Sequence, residues 1–99
     1  MLEVAILNVV GGKEAEFEAA FQTASVIISS MEGYISHQLQ HCIENKNRYI
    51  LLVNWKSLEA HTVGFRTSEQ YQEWKKLLHH FYNPFPIVEH YELVLEQKA

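Results

Sequence analysis

Cysteine is nearly absent from this chain of 99 residues, and Cys42 is its single thiol. No intramolecular disulfide can form, which fits a reducing compartment better than a secreted scaffold. Clustered positive charge is also missing. Lysine and arginine number 8 against 12 acidic residues, the net charge is −4, and Lys75–Lys76 is the only adjacent basic pair. A nucleic-acid partner needs such clusters to meet its phosphates, so none is expected. No apolar run is long. "MLEVAILNVV" opens the chain without a basic leader and stops at Gly11-Gly12. It is too short to cross a membrane and has the wrong flanks for a signal peptide. The expectation is a soluble, cytoplasmic protein with no membrane partner. Gly11-Gly12 lacks the rest of a phosphate-binding loop, and no nucleophile elbow occurs.

What is present is ordinary for a globular fold: 47% hydrophobic and 20% charged residues. The length predicts one domain over 1–99, with a folded core over 1–95 and a tail at 96–99. Leu2 to Val10 reads as a strand buried on both faces. Lys13 to Ser30 carries Phe17, Phe21, Ala24 and Ile28 at helical spacing, with acidic residues in the first turns. Tyr34 to Ile43 and Arg48 to Trp55 form a hairpin around the polar turn Glu44–Asn47. Ser57 is an N-cap for a helical stretch reaching about Phe65, and Ser68 for a helix over Glu69–His80. Asn83-Pro84-Phe85-Pro86 cannot be helical. Ile87 to Leu95 reads as the last strand.

The order strand, helix, strand, strand, helix, strand predicts an α+β, ferredoxin-like split βαβ fold with a four-stranded antiparallel sheet and helices on one face. Such a sheet should have a polar second face. Here Leu2, Val4 and Ile6 alternate with Ala5, Leu7 and Val9, and Leu51 and Val53 alternate with Ile50 and Leu52, so both faces are apolar. No sequence remains to cover the second face. A second copy of the chain would cover it, making a homodimer, a dimeric α/β barrel.

Chemistry has few candidates. Cys42 has no basic cluster or helix terminus to activate it and reads as a buried structural thiol. His37 and His41 would stand about 13 Å apart on a strand, too far to share an ion. His79 and His80 point apart on a helix, and only the tertiary fold could bring His61, His79 and His90 together. No metal site is read from these spacings. Asn8 interrupts an apolar strand, and a buried amide needs partners, so it either bonds a strand edge or faces a ligand. Asn54 raises the same choice nearer a strand end. Trp55, Phe65, Tyr71, Trp74, Phe81 and Tyr82 are core rings or the wall of a small-molecule pocket. His61 lies four residues before Phe65 on one helical face and is the best candidate for proton transfer.

Three stretches, "ILNVVGGKEAEFEAAF", "MEGYISHQLQHCIENKNRYILLVNWKSLEAH" and "FRTSEQYQEW", carry a family likeness. The chain resembles the antibiotic biosynthesis monooxygenase (ABM) domain family of dimeric α/β-barrel proteins. The resemblance implies a homodimer with a pocket between helices and sheet in each subunit. It also implies oxidation of a small aromatic, polyketide or quinol-type compound by dioxygen, with no metal or flavin cofactor. Asn8 matches the family's strand asparagine and Trp55 its hairpin tryptophan. On this reading Asn8 and His61 are catalytic, while Trp55, Phe65, Tyr71, Trp74 and Phe81 bind the ring. Relatives also include haem-degrading proteins and members without known activity. The haem-degrading members carry a tryptophan and an iron-ligating histidine where this chain has Gly64 or Phe65, and Trp74 or Lys75. Many members carry a histidine at the place of Gly64. The alternatives are therefore haem binding or degradation, or a non-catalytic small-ligand-binding dimer.

Overall fold

The computed structural model describes residues 1–99. Strand β1 (Leu2–Asn8) leads to helix α1 (Glu14–Ser29), then to β2 (Tyr34–His41) and β3 (Arg48–Trp55). A π-helical segment (Ala60–Phe65), helix α2 (Glu69–Leu78), a 3-10 turn (His79–Phe81) and β4 (Val88–Tyr91) follow. The four strands make one sheet in the order β2-β3-β1-β4, with every neighbouring pair antiparallel. This is the predicted split βαβ arrangement, with both helices packed on one face.

The pleat decides which residues meet the helices. Ala5 and Leu7 of β1, Val9 just beyond it, and Tyr49, Leu51, Val53 and Trp55 of β3 are buried. They pack with Phe17, Phe21, Ala24 and Ile28 of α1 and with Trp74 and Leu78 of α2 in one core. The β-branched end of α1 does not unwind it, because Ile28 is anchored in that core while the helix runs to Ser29. On the other face, Ile6 is 51% exposed, and Leu2, Val4, Ile50 and Leu52 are only half-buried.

Three boundaries differ from expectation. The hairpin loop spans 42–47 because Asn47 is drawn to the end of β1: its side chain donates to the Val9 carbonyl at 3.1 Å, and its own carbonyl accepts from the Val9 N–H at 2.8 Å. Cys42 therefore sits in the loop, half-exposed, and is not a buried thiol. The last strand ends at Tyr91, which pairs with Leu2, the first residue of β1. Beyond it no partner strand remains in the chain. Residues 92–99 form no strand, and Leu93, Val94 and Leu95 are 77%, 96% and 80% exposed. The helix after β3 begins with the expected Ser57 cap, whose hydroxyl accepts from the Ala60 N–H at 3.2 Å, but then widens. The Arg66 N–H reaches back five residues to the His61 carbonyl at 3.1 Å. Such π turns re-aim side chains and recur at functional sites. Here His61 and Phe65 both end up buried.

Candidate active site

Between the sheet and the second helical region lies a cavity of about 370 Å³. Its floor is Glu3, Ala5 and Leu7 of β1 with Leu51 of β3. His61, Phe65, Tyr71 and Trp74 line it from the π-helical segment and α2, and His79, Tyr82, Phe85 and Pro86 from the chain that follows α2. Arg66 stands at the rim. The ring walls hold one another edge to face, with Phe65–Tyr71 at 5.2 Å and Phe65–Trp74 at 5.6 Å between centroids. That geometry is favourable for aromatic quadrupoles and stiffens the wall. A wider groove, bounded by Leu93–Glu96, is only the space between the unpaired tail and the strand ends.

One end of the cavity is polar. Glu3 is 6% exposed, and its Oε1 accepts from the Trp55 indole N–H at 2.9 Å. His61 Nε2 lies 3.3 Å from the same oxygen. His61 Nδ1 meets His90 Nε2 at 2.8 Å. A carboxylate beside Nε2 favours the proton there, which leaves Nδ1 to accept from the His90 N–H. The Trp55 indole lies nearly parallel to the His61 ring, 5.5 Å away and tilted by 22°. Glu3, Trp55, His61 and His90 thus form one chain across β1, β3, the π turn and β4. Burial raises the Glu3 carboxyl above its ordinary value, with the Trp55 bond and the Arg66 charge pulling the other way. Burial, then Arg66 and His90, push His61 down to about 3, so its ring is neutral at neutral pH. His79 is lowered by burial and by Lys75.

Oε2 of Glu3 takes no hydrogen bond: the Trp55 bond and the His61 approach both fall on Oε1. No buried side-chain nitrogen or oxygen lacks a partner, so Oε2 is not sealed in the core. Glu3 lines the cavity, which is the open space beside this side chain. No three His, Cys, Asp or Glu side chains are grouped to hold a metal ion.

The candidates named from sequence divide cleanly. His61, Phe65, Tyr71 and Trp74 share the cavity. Trp55 is fully buried behind it, in contact with the lining residues Glu3, His61 and Phe65. Phe81 belongs to the core, edge-on to Phe17 at 5.7 Å, and does not line the cavity. Asn8 is not brought to His61. It points from the other face of the sheet, where its Oδ1 accepts from the Arg48 guanidinium at 3.2 Å. The strand alternation explains this, because Glu3, Ala5 and Leu7 take the helix-side face and Asn8 falls on the opposite one. Asn54 is exposed on that opposite face and donates to Ser36 at 3.1 Å. Sequence reasoning passed over Glu3, although it is the only charge in an apolar strand and stands at an inward position. The meeting of His61 and His90 depends on the β1–β4 register that pairs Glu3 with His90, which no local pattern reveals.

Residues 1–77 match the family described as antibiotic biosynthesis monooxygenase. The chain belongs to that family, and a monooxygenase-like function is the class this membership supports. It is 57% identical over 90 residues to the uncharacterized protein YczJ of Bacillus subtilis (strain 168), covering 91% of this chain and 95% of that one. A Bordetella bronchiseptica structure assigned to the antibiotic biosynthesis monooxygenases superposes with a TM-score of 0.90 at 36% identity, over 95% of this chain and 96% of that one. SnoaB, a cofactor-independent oxygenase from Streptomyces nogalater, has the same fold with a TM-score of 0.73 at 20% identity, over 98% and 93% of the two chains.

Proposed function

We propose that the chain is a cofactor-independent monooxygenase that oxidises a small aromatic, polyketide or quinol-type compound with dioxygen. The observation that carries this reading is the cavity itself: a stiff aromatic chamber with one proton-handling end, Glu3 and His61. About 370 Å³ lies at the low end of small-molecule sites, which span about 300–1,000 Å³, and suits a few fused rings. Family membership and the fold shared with SnoaB support the same reaction class.

The chemistry balances without a reductant. Loss of a proton makes the bound ring system electron-rich. It passes one electron to dioxygen, and the resulting radical pair joins at a ring carbon as a peroxide. Loss of water leaves a carbonyl, so a CH₂ and O₂ become C=O and H₂O. The protein binds, takes the proton and keeps out bulk water. Phe65, Tyr71 and Trp74 hold the ring, and Arg66 at the rim favours the anion. Oxygen-electrode assays with anthrones and hydroquinones test this. Uptake above the buffer rate with at least one of them is expected, and a flat trace with every compound would sink the proposal.

The working unit is a homodimer. The face of the sheet away from the helices carries Leu2, Val4, Ile6, Ile50 and Leu52 in a central band. An apolar sheet face of this kind is covered in a stable protein. A second copy seated there gives two cavities, one on the outer side of each sheet.

A further inference from the structure

We propose that Glu3 is the proton acceptor of this cavity, binding a substrate hydroxyl through Oε2, with Trp55 and His61 as positioning residues for Oε1. The inference rests on the reading above that the cavity holds a hydroxylated ring. His61 is the histidine that sequence alone selects, but its Nδ1 is taken by His90 at 2.8 Å and its Nε2 faces Glu3 Oε1 at 3.3 Å. Glu3 is the only carboxylate lining the cavity, and its Oε2 takes no hydrogen bond. A buried carboxylate held by one oxygen and open at the other is aimed, and its position is set by three elements at once. Trp55 fixes it from β3, His61 from the π turn, and His90 fixes His61 from β4. The titratable groups beside it are His61 and His90, both neutral at neutral pH, and the one charge near it is the Arg66 guanidinium, which balances the anion left on the ring. In the step itself the substrate O–H bond breaks, its proton moves to Oε2, and the electron pair stays on the substrate oxygen.

The test is binding of para-nitrophenol, a hydroxyarene that cannot be turned over to a carbonyl, followed by its absorption across a pH series. In the unmodified protein one proton is shared between two oxyanions. Affinity should therefore fall about tenfold per pH unit above the phenol's own pKa. In Glu3→Gln the amide N–H donates to the phenolate, so this fall should disappear. Equal pH slopes in the two proteins would overturn the role of Glu3. If Glu3→Gln fails to fold, difference infrared spectra of the unmodified protein give the same answer. Binding should move a carboxylate stretch toward the protonated carboxyl, and an unmoved band would overturn the proposal. No binding of the phenol at all would overturn both this inference and the oxidation reading. Binding with the expected slope, but no oxygen uptake with any compound, would remove the oxidation reading and leave Glu3 in place.

Discussion

Glu3 sets the residue scale. A carboxylate at an inward strand position costs several kcal/mol unless its charge is compensated, and here an indole N–H and a histidine edge meet it. A charged hydrogen bond of this kind contributes about 1.5–3 kcal/mol. Trp55→Phe removes the donor together with part of the buried indole, so the folded chain should lose at least about that much stability. Because that bond lowers the Glu3 pKa, its loss should move the acid limb of phenol binding to higher pH. An acid limb in the same place in both proteins would contradict the link. His61 gives a separate prediction for stability. Its folded pKa is about 3 against an ordinary 6.5. Between those values the unfolded chain binds a proton that the folded chain does not. Its contribution is whole above pH 6.5 and is lost as pH falls toward 3. Glu3 acts with the opposite sign: its raised pKa lets the folded chain hold the proton more tightly, so that contribution fades as pH rises from 4.5. Urea unfolding across this range should show an acid-side loss that His61→Gln flattens. An unchanged slope in the variant would count against the assignment.

Among the elements, the π turn over Ala60–Phe65 matters most, because it carries two walls of the cavity. It is seated on the α1–β2 junction. Gly33 has φ +84°, and a Cβ there would stand 2.6 Å from Ala60 Cβ, at the first residue of the turn. Its carbonyl also accepts from the Lys56 N–H at 2.8 Å. Gly33→Ala should therefore cost about 1–3 kcal/mol from backbone strain and overpacking. Gly11→Ala, which meets open space, should cost much less. Melting curves of the two variants decide this, and equal losses would contradict the seating.

The strands, α1 and both serine caps were readable because period and capping are local properties. The π turn was not, since it is recorded by a carbonyl five residues back and not by composition. The placing of the strand asparagine was hidden for a related reason. Asn8 is unusual in its strand, but alternation from Ala5 and Leu7 already puts it on the face away from His61. Aromatic spacing likewise could not separate Phe81, which packs on Phe17, from Trp74, which does both jobs.

On the scale of the whole molecule, two features lack a partner within one chain: the apolar band on the open face of the sheet and the apolar tail beyond Tyr91. The band predicts a dimer. Light scattering at micromolar concentration should give twice the chain mass of 11.6 kDa. Ile6→Glu would bury two like charges at the centre of the interface and should return the monomer. A monomeric unmodified protein would refute the arrangement. The cavity lies on the helix side of each sheet, so ring binding should survive in an Ile6→Glu monomer that remains folded.

The proposed reaction adds an oxygen atom from dioxygen to a hydroxylated ring bound in this cavity. Incubation of the protein with dithranol under isotopically labelled dioxygen, followed by mass spectrometry, tests it most directly. The account predicts a new carbonyl bearing one labelled oxygen, formed faster than in buffer, with the second labelled atom released as water. Product formed no faster than in buffer, or an oxygen drawn from water, would contradict it.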